Sequence, residues 1–418
     1  MITTKFCPKI FLLLFNVLVF FSSCDDIFVT KKEYTETSRP PVSDSISVHD
    51  DYTSLESDYE ARATFQYNEM SNPNDKIRGW QGCPSIGIKN NKIFVAWYGG
   101  EKGELPGNYI VLSISENMGQ TWLPNKLLIS PSENSLRMID PSFWNDKFND
   151  LNLTWTKTEG VWDFGAGGVW KVKIREVNNE IQITKPIRLF NGVMNVKPTI
   201  LGTDNSTIIF PVSAWNLGVF DEKGNYIVSK DYNGAYIYNG YYNGKGELIG
   251  PSFFSKINLN NSIRSYDEHM IVALDENYLI CMLRTTDGIY TTKSFDGGKS
   301  WETPIKYNDL GPTTSSRFFF GKLKSGNLLF VLNNSLTRNK LTAFLSTDNG
   351  KTWPYKLLLD SREVSYPDVA QNEEGEICVV YDRSRPYFGE ILFLKFTEED
   401  IITGNINNLT PRVISKLK

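Results

Sequence analysis

The residues of this chain that could do chemistry are carboxylates, arginines and a tyrosine that stand at the ends of short apolar runs. Glu268 and His269 precede the run Met-Ile-Val-Ala-Leu, Arg284 ends the run Tyr-Leu-Ile-Cys-Met-Leu, and Tyr366 follows Val-Ser. A positioned carboxylic acid transfers protons, and the planar guanidinium of arginine binds a carboxylate through two parallel hydrogen bonds. These residue types suit acid–base chemistry, with arginines available to bind an anionic group.

The counts of other residues exclude several function classes. The two histidines, His49 and His269, cannot build a histidine-rich metal site, and they leave one plausible imidazole for any Ser/His or Cys/His pair. A formal net charge of −4 excludes a nucleic-acid binder that depends on a general basic field. Cys83, Cys281 and Cys378 lie far apart in apolar stretches, which predicts buried free thiols.

The N-terminal segment has the order of a secretory signal, with two lysines, an apolar run and then Ser22-Ser23-Cys24. Small residues before a cysteine resemble a bacterial lipoprotein signal, which implies that residues 1–23 are a removed signal peptide and that Cys24 carries the lipid. The acidic pair after Cys24 resembles surface-export signals. We therefore predict a protein anchored by lipid to the cell envelope, in the outer membrane and at its surface. The alternative is an ordinary secretory signal with an incidental cysteine.

Residues 24–74 are predicted to form a flexible tether, because they are poor in apolar residues and rich in Ser, Thr, Asp, Glu and Pro. Such a composition cannot bury enough surface to offset the entropy of ordering the chain. The globular part is therefore expected to span residues 75–418.

Short strands must position the chemical residues. Alternating apolar runs separated by Gly, Asn and Asp turns continue from Trp80 onward, without a long stretch of helical period. The turns at 115–122, 294–301 and 346–353 share the pattern S-x-D/N-x-G-x-T/S-W, and 239–246 is a degenerate copy. We expect the Asp or Asn to cap the backbone two residues on, the Gly to take a positive φ and the Trp to cover the hairpin. A period of about fifty residues made of four-strand units predicts an all-β, six-bladed propeller.

These turns resemble the Asp-boxes (BNR repeats) of the sialidase, or neuraminidase, family, and the resemblance covers most of residues 78–402. It implies a divergent lipoprotein member with a six-bladed β-propeller of sialidase type, whose boxes lie away from the active face. Sialidases cleave a ketoside whose anomeric carbon carries a carboxylate. Arginines bind that carboxylate, a tyrosine deprotonated by a glutamate attacks, and a second acid protonates the leaving oxygen. This chemistry requires no metal and no organic cofactor.

Carried over residue by residue, the resemblance assigns roles to four positions. Glu268, at the head of a strand, resembles the general base, and Arg284 in the following strand resembles the second clamp arginine. Arg338 stands just before the strand that leads to the 346–353 box and resembles the third clamp arginine. Tyr366 follows that box and resembles the nucleophile.

The catalytic acid departs from the family pattern. In sialidases it is an Asp shortly before the strand that feeds the first box, and the matching place here falls on Glu104, with Glu101 as the alternative. A glutamate can donate the same proton with a longer reach. Both carboxylates could instead be solvated residues of a Gly-rich turn.

The first clamp arginine also departs from the pattern. Sialidases carry Arg-Ile-Pro at the entry to the first blade, where this chain has Gly82-Cys83-Pro84. Arg78, Arg317 or Arg264 could replace the missing guanidinium. The change puts sialic acid itself in question, while a clamp of two arginines would still favour an acidic sugar such as a uronate or a modified nonulosonate.

His269 and Asp140 are the remaining predicted substrate contacts. His269 could touch substrate hydroxyls, or it could bond a neighbouring carboxylate at the start of its strand. Asp140 opens the second blade, Lys197 opens the third, and both could line the same central pocket.

The sequence therefore favours an exo-glycosidase of sialidase type that removes a terminal acidic sugar from glycans. Glycan and membrane lipid are the expected partners, and nucleic acid is not. One alternative keeps the fold but acts on another glycan, as a glycosidase or lyase of uronate- or deoxyhexose-linked bonds. The other is a non-catalytic glycan-binding surface lipoprotein.

Overall fold

The computed structural model of the chain describes residues 52–53, 57–58, 61–67, 78–159, 168–178, 180–202, 206–214, 218–220, 226–228, 233–244, 246–385, 387–407 and 409–417. Within these ranges the regular structure is β, apart from one short helix. Six antiparallel sheets of four or more strands succeed one another along the chain. They form a six-bladed β-propeller, so the predicted all-β fold is confirmed.

The first three blades occupy the N-terminal half. Blade 1 contains Trp80–Lys89, Lys92–Gly100, Tyr109–Ser115 and Leu123–Pro131, extended by Ala63–Tyr67 and Ser57–Asp58. Blade 2 contains Leu136–Asn145, Leu151–Glu159, Val169–Val177 and Glu180–Thr184, with Tyr52–Thr53 and Ile187–Phe190 added. Blade 3 contains Thr199–Leu201, Thr207–Ala214, Gly234–Tyr242 and Leu248–Ile257, and a hairpin of Gly218–Phe220 and Tyr226–Val228 separates its second and third strands.

The last three blades occupy the C-terminal half. Blade 4 contains Arg264–Ala273, Leu279–Thr285, Gly288–Ser294 and Ile305–Lys306. Blade 5 contains Phe319–Lys322, Leu328–Asn333, Asn339–Ser346 and Tyr355–Glu363. Blade 6 contains Ser365–Gln371, Ile377–Arg383, Glu390–Phe396 and Arg412–Ser415, with the helix Glu398–Thr403 before its last strand.

The first strand of each blade lies at the sheet edge nearest the central axis, and the other strands follow outward. Because neighbouring strands are antiparallel, the beginnings of the first strands and the ends of the second strands meet on one face of the propeller. We call this the upper face. The turns between third and fourth strands, which carry the boxes, lie on the opposite face.

Blade 6 closes the ring onto blade 1 through a shared apolar core. Ile86 and Val95 of blade 1 pack in one buried cluster with Val380 and Phe393 of blade 6. A sheet covered on both faces by neighbouring blades needs near-continuous apolar strands, and Tyr109–Ser115 is buried throughout. This double burial explains the uninterrupted apolar runs in the sequence.

The box at 294–301 is held by a hydrogen-bond network that differs in one respect from expectation. Ser294 Oγ accepts from the backbone N–H of Gly298 at 2.8 Å, and Asp296 Oδ1 accepts from the N–H of Ser300 at 2.9 Å. The acidic side chain therefore caps the backbone four residues on, not two. Gly298 has a φ of 93°, as predicted for the glycine. The boxes at 115–122 and 346–353 form the same bonds.

The box tryptophans contact the preceding blade as well as their own. Trp353 lies edge-on to Phe330 of its own blade, with ring centroids 5.7 Å apart. Trp122 of blade 1 packs edge-on against Phe393 of blade 6, with ring centroids 5.4 Å apart. The Trp353 Nε1–H of blade 5 donates to the Tyr307 hydroxyl, at the end of blade 4, at 2.5 Å. The boxes thus join neighbouring blades.

The predicted tether of residues 24–74 extends too far toward the C-terminus. Ala63–Tyr67 pairs with Leu123–Pro131 and forms part of blade 1. Ala61, Ala63 and Phe65 are buried there, because the alternating side chains of a strand place every second residue on the covered face. Two of these inward residues are alanines, whose small side chains add little to the apolar content of the segment. The segment therefore packs although its composition predicted a tether.

The predicted signal peptide and the lipidation site Cys24 lie outside the described residues. In the part of the chain that the structure covers, no helix is long and apolar enough to cross a membrane.

Candidate active site

The first strands of four blades are irregular at the same place on the upper face. Cys83, Asp140, Glu268 and Tyr366 have positive φ angles of 55°, 52°, 20° and 57°, and each lies at a shift in strand register. Three of the four precede a proline, which normally favours extended backbone at such a position. A strained residue of this kind costs about 1–3 kcal/mol and persists only where its surroundings hold it. The strain marks this ring of positions as a candidate site.

Tyr366 lies at the centre of a group of arginines. Its hydroxyl accepts hydrogen bonds from Arg284 Nη1 at 3.2 Å and Arg338 Nη2 at 3.4 Å. The guanidinium carbon of Arg385 lies 3.8 Å from the centroid of its ring. Burial raises the pKa of Tyr366, and the charge of Glu268 raises it further, while the arginines oppose the shift. The balance keeps the phenol neutral.

Glu268 is buried and held from two sides. Its Oε2 forms an ion pair with Arg284 Nη1, and its Oε1 accepts from Asn195 Nδ2 at 2.9 Å. Arg284 Nη1 therefore bonds both the carboxylate of Glu268 and the hydroxyl of Tyr366. The predicted base and the predicted nucleophile are joined through one nitrogen.

Arg284 and Arg338 are held by one loop residue between blades 4 and 5. The backbone carbonyl of Ser315 accepts from Arg284 Nη2 at 3.3 Å and from Arg338 Nη2 at 3.4 Å. The ring of Tyr266 lies 5.0 Å from the Arg284 guanidinium carbon. The two predicted clamp arginines are thus brought together, although they come from different blades.

Glu104 reaches the arginine group from the loop between the second and third strands of blade 1. Its Oε1 lies 3.2 Å from Arg385 Nη1, while its side chain is 49% exposed. Glu101, the alternative, is paired with Lys102 at 3.5 Å and is 61% exposed. Of the two candidate acids, Glu104 is the one that contacts the arginine group around Tyr366.

Arg385 lies in the candidate site, and it was not among the residues predicted from the sequence. It follows the second strand of blade 6, and Arg284 ends the second strand of blade 4, so both reach the upper face from equivalent parts of their blades. Asp382 accepts from Arg385 Nε at 2.9 Å and from the backbone N–H of Cys83 at 2.8 Å. The matching positions of Arg284 and Arg385 at the ends of second strands could have identified Arg385 from the sequence.

The three arginines predicted to replace the missing clamp residue have other hydrogen-bond partners, although the Arg317 guanidinium carbon lies 5.1 Å from the centroid of the Tyr366 ring. Arg317 is buried and donates to the backbone carbonyls of Asn195, Pro84 and Tyr366 at 2.9, 2.8 and 3.3 Å, so it connects neighbouring blades. Arg78 donates to the Tyr109 hydroxyl at 2.9 Å and to Gln81 at 3.3 Å. Arg264 pairs with Asp267.

The predicted contact of His269 with substrate is not supported by its position. Its Nε2 bonds the backbone carbonyl of Tyr236 in blade 3 at 3.0 Å, and the residue is buried between the blades. Burial lowers the pKa of His269 to about 4. The ring of His269 therefore bonds the backbone of blade 3.

Asp140 is buried on the upper face near the predicted acid and base. Burial raises its pKa to about 7, nearby Glu104 and Glu268 add to this effect, and Arg317 opposes it. Lys197 lies at the axis, where its Nζ donates to the carbonyls of Ile86 and Phe143 at 2.6 and 2.8 Å. Asp140 is therefore a candidate pocket carboxyl, and Lys197 ties blades 1, 2 and 3.

Among the described residues, no group of three or more His, Cys, Asp or Glu side chains is arranged to hold a metal ion. What the pocket offers instead is a cluster of guanidinium groups around a neutral phenol, with carboxyls beside it. Such an arrangement can bind an anion and move protons.

Comparison with protein families matches one stretch of the chain. Residues 250–379 match the family described as BNR repeat-like domain, a stretch that contains Glu268, Arg284, Arg338 and Tyr366. Among curated proteins, no sequence matches the chain.

Several solved structures share the fold. A Hadza microbial sialidase superimposes with a TM-score of 0.58 at 16% identity, covering 81% of this chain and 69% of its own. The NanB sialidase of Streptococcus pneumoniae gives 0.55 at 12% identity, covering 81% and 71%. The intramolecular trans-sialidase of Ruminococcus gnavus gives 0.53 at 12% identity, covering 80% and 98%. The chain is thus a six-bladed β-propeller of the sialidase type that carries a BNR repeat-like domain.

Proposed function

We propose that this protein is an exo-acting glycoside hydrolase of sialidase type that removes a terminal acidic sugar from glycans. The observation that carries the proposal is the Tyr366 hydroxyl, which two arginines bond while one of them also pairs with Glu268. The fold it shares with several sialidases adds support.

The proposed first step forms a bond between the Tyr366 oxygen and the anomeric carbon while the bond to the leaving oxygen breaks. Glu268 takes the phenolic proton, and Glu104 gives its proton to the leaving oxygen. In the second step water attacks the anomeric carbon and gives a proton to Glu104. As that bond forms, the bond to the Tyr366 oxygen breaks and Tyr366 recovers its proton from Glu268, so both carboxyl groups return to their starting forms.

A neutral nucleophile suits a substrate whose anomeric carbon carries a carboxylate. An anionic nucleophile would be repelled by that group, whereas a phenol is not until its proton leaves. The raised pKa of Tyr366 keeps it neutral, and the adjacent Glu268 supplies the base that it then needs. Arg284 and Arg338 would bind the substrate carboxylate and steady the developing phenolate.

The decisive experiment measures release of 4-methylumbelliferone from its sialic acid conjugate. Tyr366→Phe should lower turnover by at least about 10³-fold, because phenylalanine has no nucleophilic oxygen. Tyr387→Phe is the matched control, since Tyr387 belongs to the same blade and is 82% exposed. Equal turnover by wild type and Tyr366→Phe would refute the assignment of the nucleophile.

A second candidate is the same chemistry on a glycan that ends in another acidic sugar, such as a uronate. The observation that favours it is the altered clamp, with glycine at position 82 and glutamate at position 104. Conjugates of sialic acid, glucuronic acid and fucose, tested side by side, separate the candidates. Binding of glycans without turnover of any conjugate would indicate a non-catalytic glycan-binding protein.

We further propose that Cys24 carries a lipid that anchors the propeller to the cell envelope, in the outer membrane and facing outward. The order of Lys, apolar run, Ser-Ser and Cys supports this. Wild type should sediment with outer membranes and Cys24→Ala should not. A cysteine variant that sediments like wild type would contradict the anchor, and protease treatment of intact cells tests exposure.

A further inference from the structure

Arg385 occupies the space that an arginine at position 82 would need. We propose that Arg385 completes the anion-binding clamp, together with Arg284 and Arg338, in place of the first-blade arginine that this chain lacks. It would thereby be a specificity-determining residue for substrates that carry a carboxylate. This inference rests on the proposed function and extends it to a residue outside the BNR match at 250–379.

The contact between Gly82 and Arg385 is the first support. A Cβ atom built on Gly82 would lie 2.7 Å from both Cδ and Nε of Arg385. These atoms belong to the middle of the side chain, so they cannot swing aside without moving the guanidinium. Gly82 does not have a positive φ, which means that its backbone does not require glycine. The glycine makes room for Arg385.

The hold on Arg385 is the second support. Its Nε donates to Asp382 at 2.9 Å, and Asp382 is fixed in turn by the N–H of Cys83 at 2.8 Å and the hydroxyl of Ser365 at 2.9 Å. Its guanidinium lies over the Tyr366 ring, with Cζ 3.8 Å from the ring centroid. The group is therefore preorganised beside the same phenol that Arg284 and Arg338 bond.

The unused hydrogen-bonding capacity of Arg385 is the third support. With Nε taken by Asp382, the edge formed by Nη1 and Nη2 remains. Nη1 contacts the half-exposed Glu104 at 3.2 Å, and Nη2 is buried without a hydrogen-bond partner among the described residues. A substrate carboxylate would match this edge with two parallel bonds. It would also displace Glu104 from Nη1 and leave that carboxyl free for the leaving oxygen.

Binding of free sugars tests the clamp without reference to turnover. Calorimetric titration with N-acetylneuraminic acid, glucuronic acid and uncharged N-acetylglucosamine should show that Arg385→Lys binds the preferred acidic sugar about 10-fold or more weakly, because lysine lacks the planar fork. Affinity for N-acetylglucosamine should not change. Arg383→Lys is the matched control, since Arg383 pairs with Glu390 at 2.7 Å outside the arginine group.

Gly82→Ala tests the same residue without altering it. The added methyl should displace Arg385 and weaken acidic-sugar binding about 10-fold, while Gly244→Ala, where nothing lies within 4 Å of an added Cβ, should have no effect. In the Arg385→Ala background, Gly82→Ala should cost less than about 2-fold, because its effect passes through Arg385. An equal cost in both backgrounds would overturn the proposal.

The outcomes separate this proposal from the proposed function. Acidic-sugar binding that is unchanged in Arg385→Lys overturns the clamp, even if Tyr366→Phe abolishes turnover. Binding that depends on Arg385 in a protein without turnover supports the clamp and contradicts the hydrolase. If wild type binds neither acidic sugar, the clamp is overturned directly.

Discussion

At the scale of single residues, three carboxyl groups near Tyr366 stand in different surroundings, and this difference separates their roles. Glu268 is buried and ion-paired, Glu104 is half exposed and touches Arg385, and Asp140 is buried with a pKa raised to about 7. An acid must reach solvent to exchange its proton, and of the two glutamates Glu104 is the half-exposed one. This difference in exposure fits the role of acid for Glu104.

Glu104→Gln should lower turnover of a sialyl glycoside by about 10²-fold or more, because an alkoxide leaving group must be protonated as it departs. Turnover of the 4-methylumbelliferyl conjugate should fall much less, because its phenolic leaving group needs little help. Steady-state kinetics on the two substrates provides the measurement. Glu101→Gln, in the same loop, is the control, and an effect of Glu101→Gln equal to that of Glu104→Gln would contradict the assignment.

Asp140 predicts a pH dependence of stability. Its pKa is raised from 3.8 to about 7, so between these values the folded protein binds a proton that the unfolded chain has released. Its stabilising effect is full below about pH 4 and is lost as the pH rises to about 7. Asparagine at position 140 cannot ionise. The free energy of unfolding of Asp140→Asn should therefore rise relative to that of wild type over this pH range, by at most about 4 kcal/mol at 1.36 kcal/mol per pKa unit. Urea unfolding at several pH values measures this gain, and parallel stability curves would contradict it.

At the scale of elements, the boxes act as joints between blades. Each network fixes a tight turn, and the turn aims its tryptophan at the preceding blade. The three boxes differ in the polar contact of the indole. Trp353 donates to Tyr307 and Trp301 donates to Ser255 at 3.1 Å, whereas the Trp122 Nε1–H is buried without a partner in the described part of the chain.

Trp353→Phe should lower the free energy of unfolding by about 1 kcal/mol, because it removes a hydrogen bond between blades 4 and 5 and keeps an aromatic ring in place. Trp122→Phe is the matched control, since it removes an indole N–H that has no partner. Chemical denaturation of both variants tests the difference. If Trp122→Phe loses as much stability as Trp353→Phe, the loss comes from packing and the hydrogen bond to Tyr307 contributes nothing.

At the scale of the whole molecule, the ring is closed by polar ties at the axis and by strands added at the rim. Lys197 of the loop before blade 3 pairs with Asp368 of blade 6 at 2.9 Å, and Asp368 also accepts from Ser85 of blade 1 at 2.6 Å. At the rim, Ala63–Tyr67 covers the last strand of blade 1 and so protects an edge that would otherwise be open to pairing.

Phe65→Ala should destabilise the whole propeller by about 3–5 kcal/mol, because Phe65 is buried and packs edge-on against Trp155 of blade 2 at 6.1 Å. Thr64→Ala, on the other face of the same strand, should change stability by less than about 0.5 kcal/mol. The midpoints of thermal unfolding of the two variants, compared with that of wild type, test this prediction. An unchanged midpoint in Phe65→Ala would mean that this strand adds nothing to the fold.

The sequence by itself determined the features that depend on local pattern. Alternating runs and repeated box turns define the strands and the six blades, since strand period and turn chemistry are properties of a few neighbouring residues. The resemblance to the sialidase family, taken in register with the box turns, also pointed to Glu268, Arg284, Arg338 and Tyr366.

Only the tertiary structure decided which side chains from distant blades share a space. It put Arg385 against Gly82, used Arg317 as a tie between blades and turned His269 toward Tyr236. It also added Ala63–Tyr67 to blade 1, a segment whose composition indicated a tether. These choices depend on steric fit and on buried hydrogen-bond partners hundreds of residues apart in some cases, and no local pattern in the chain encodes them.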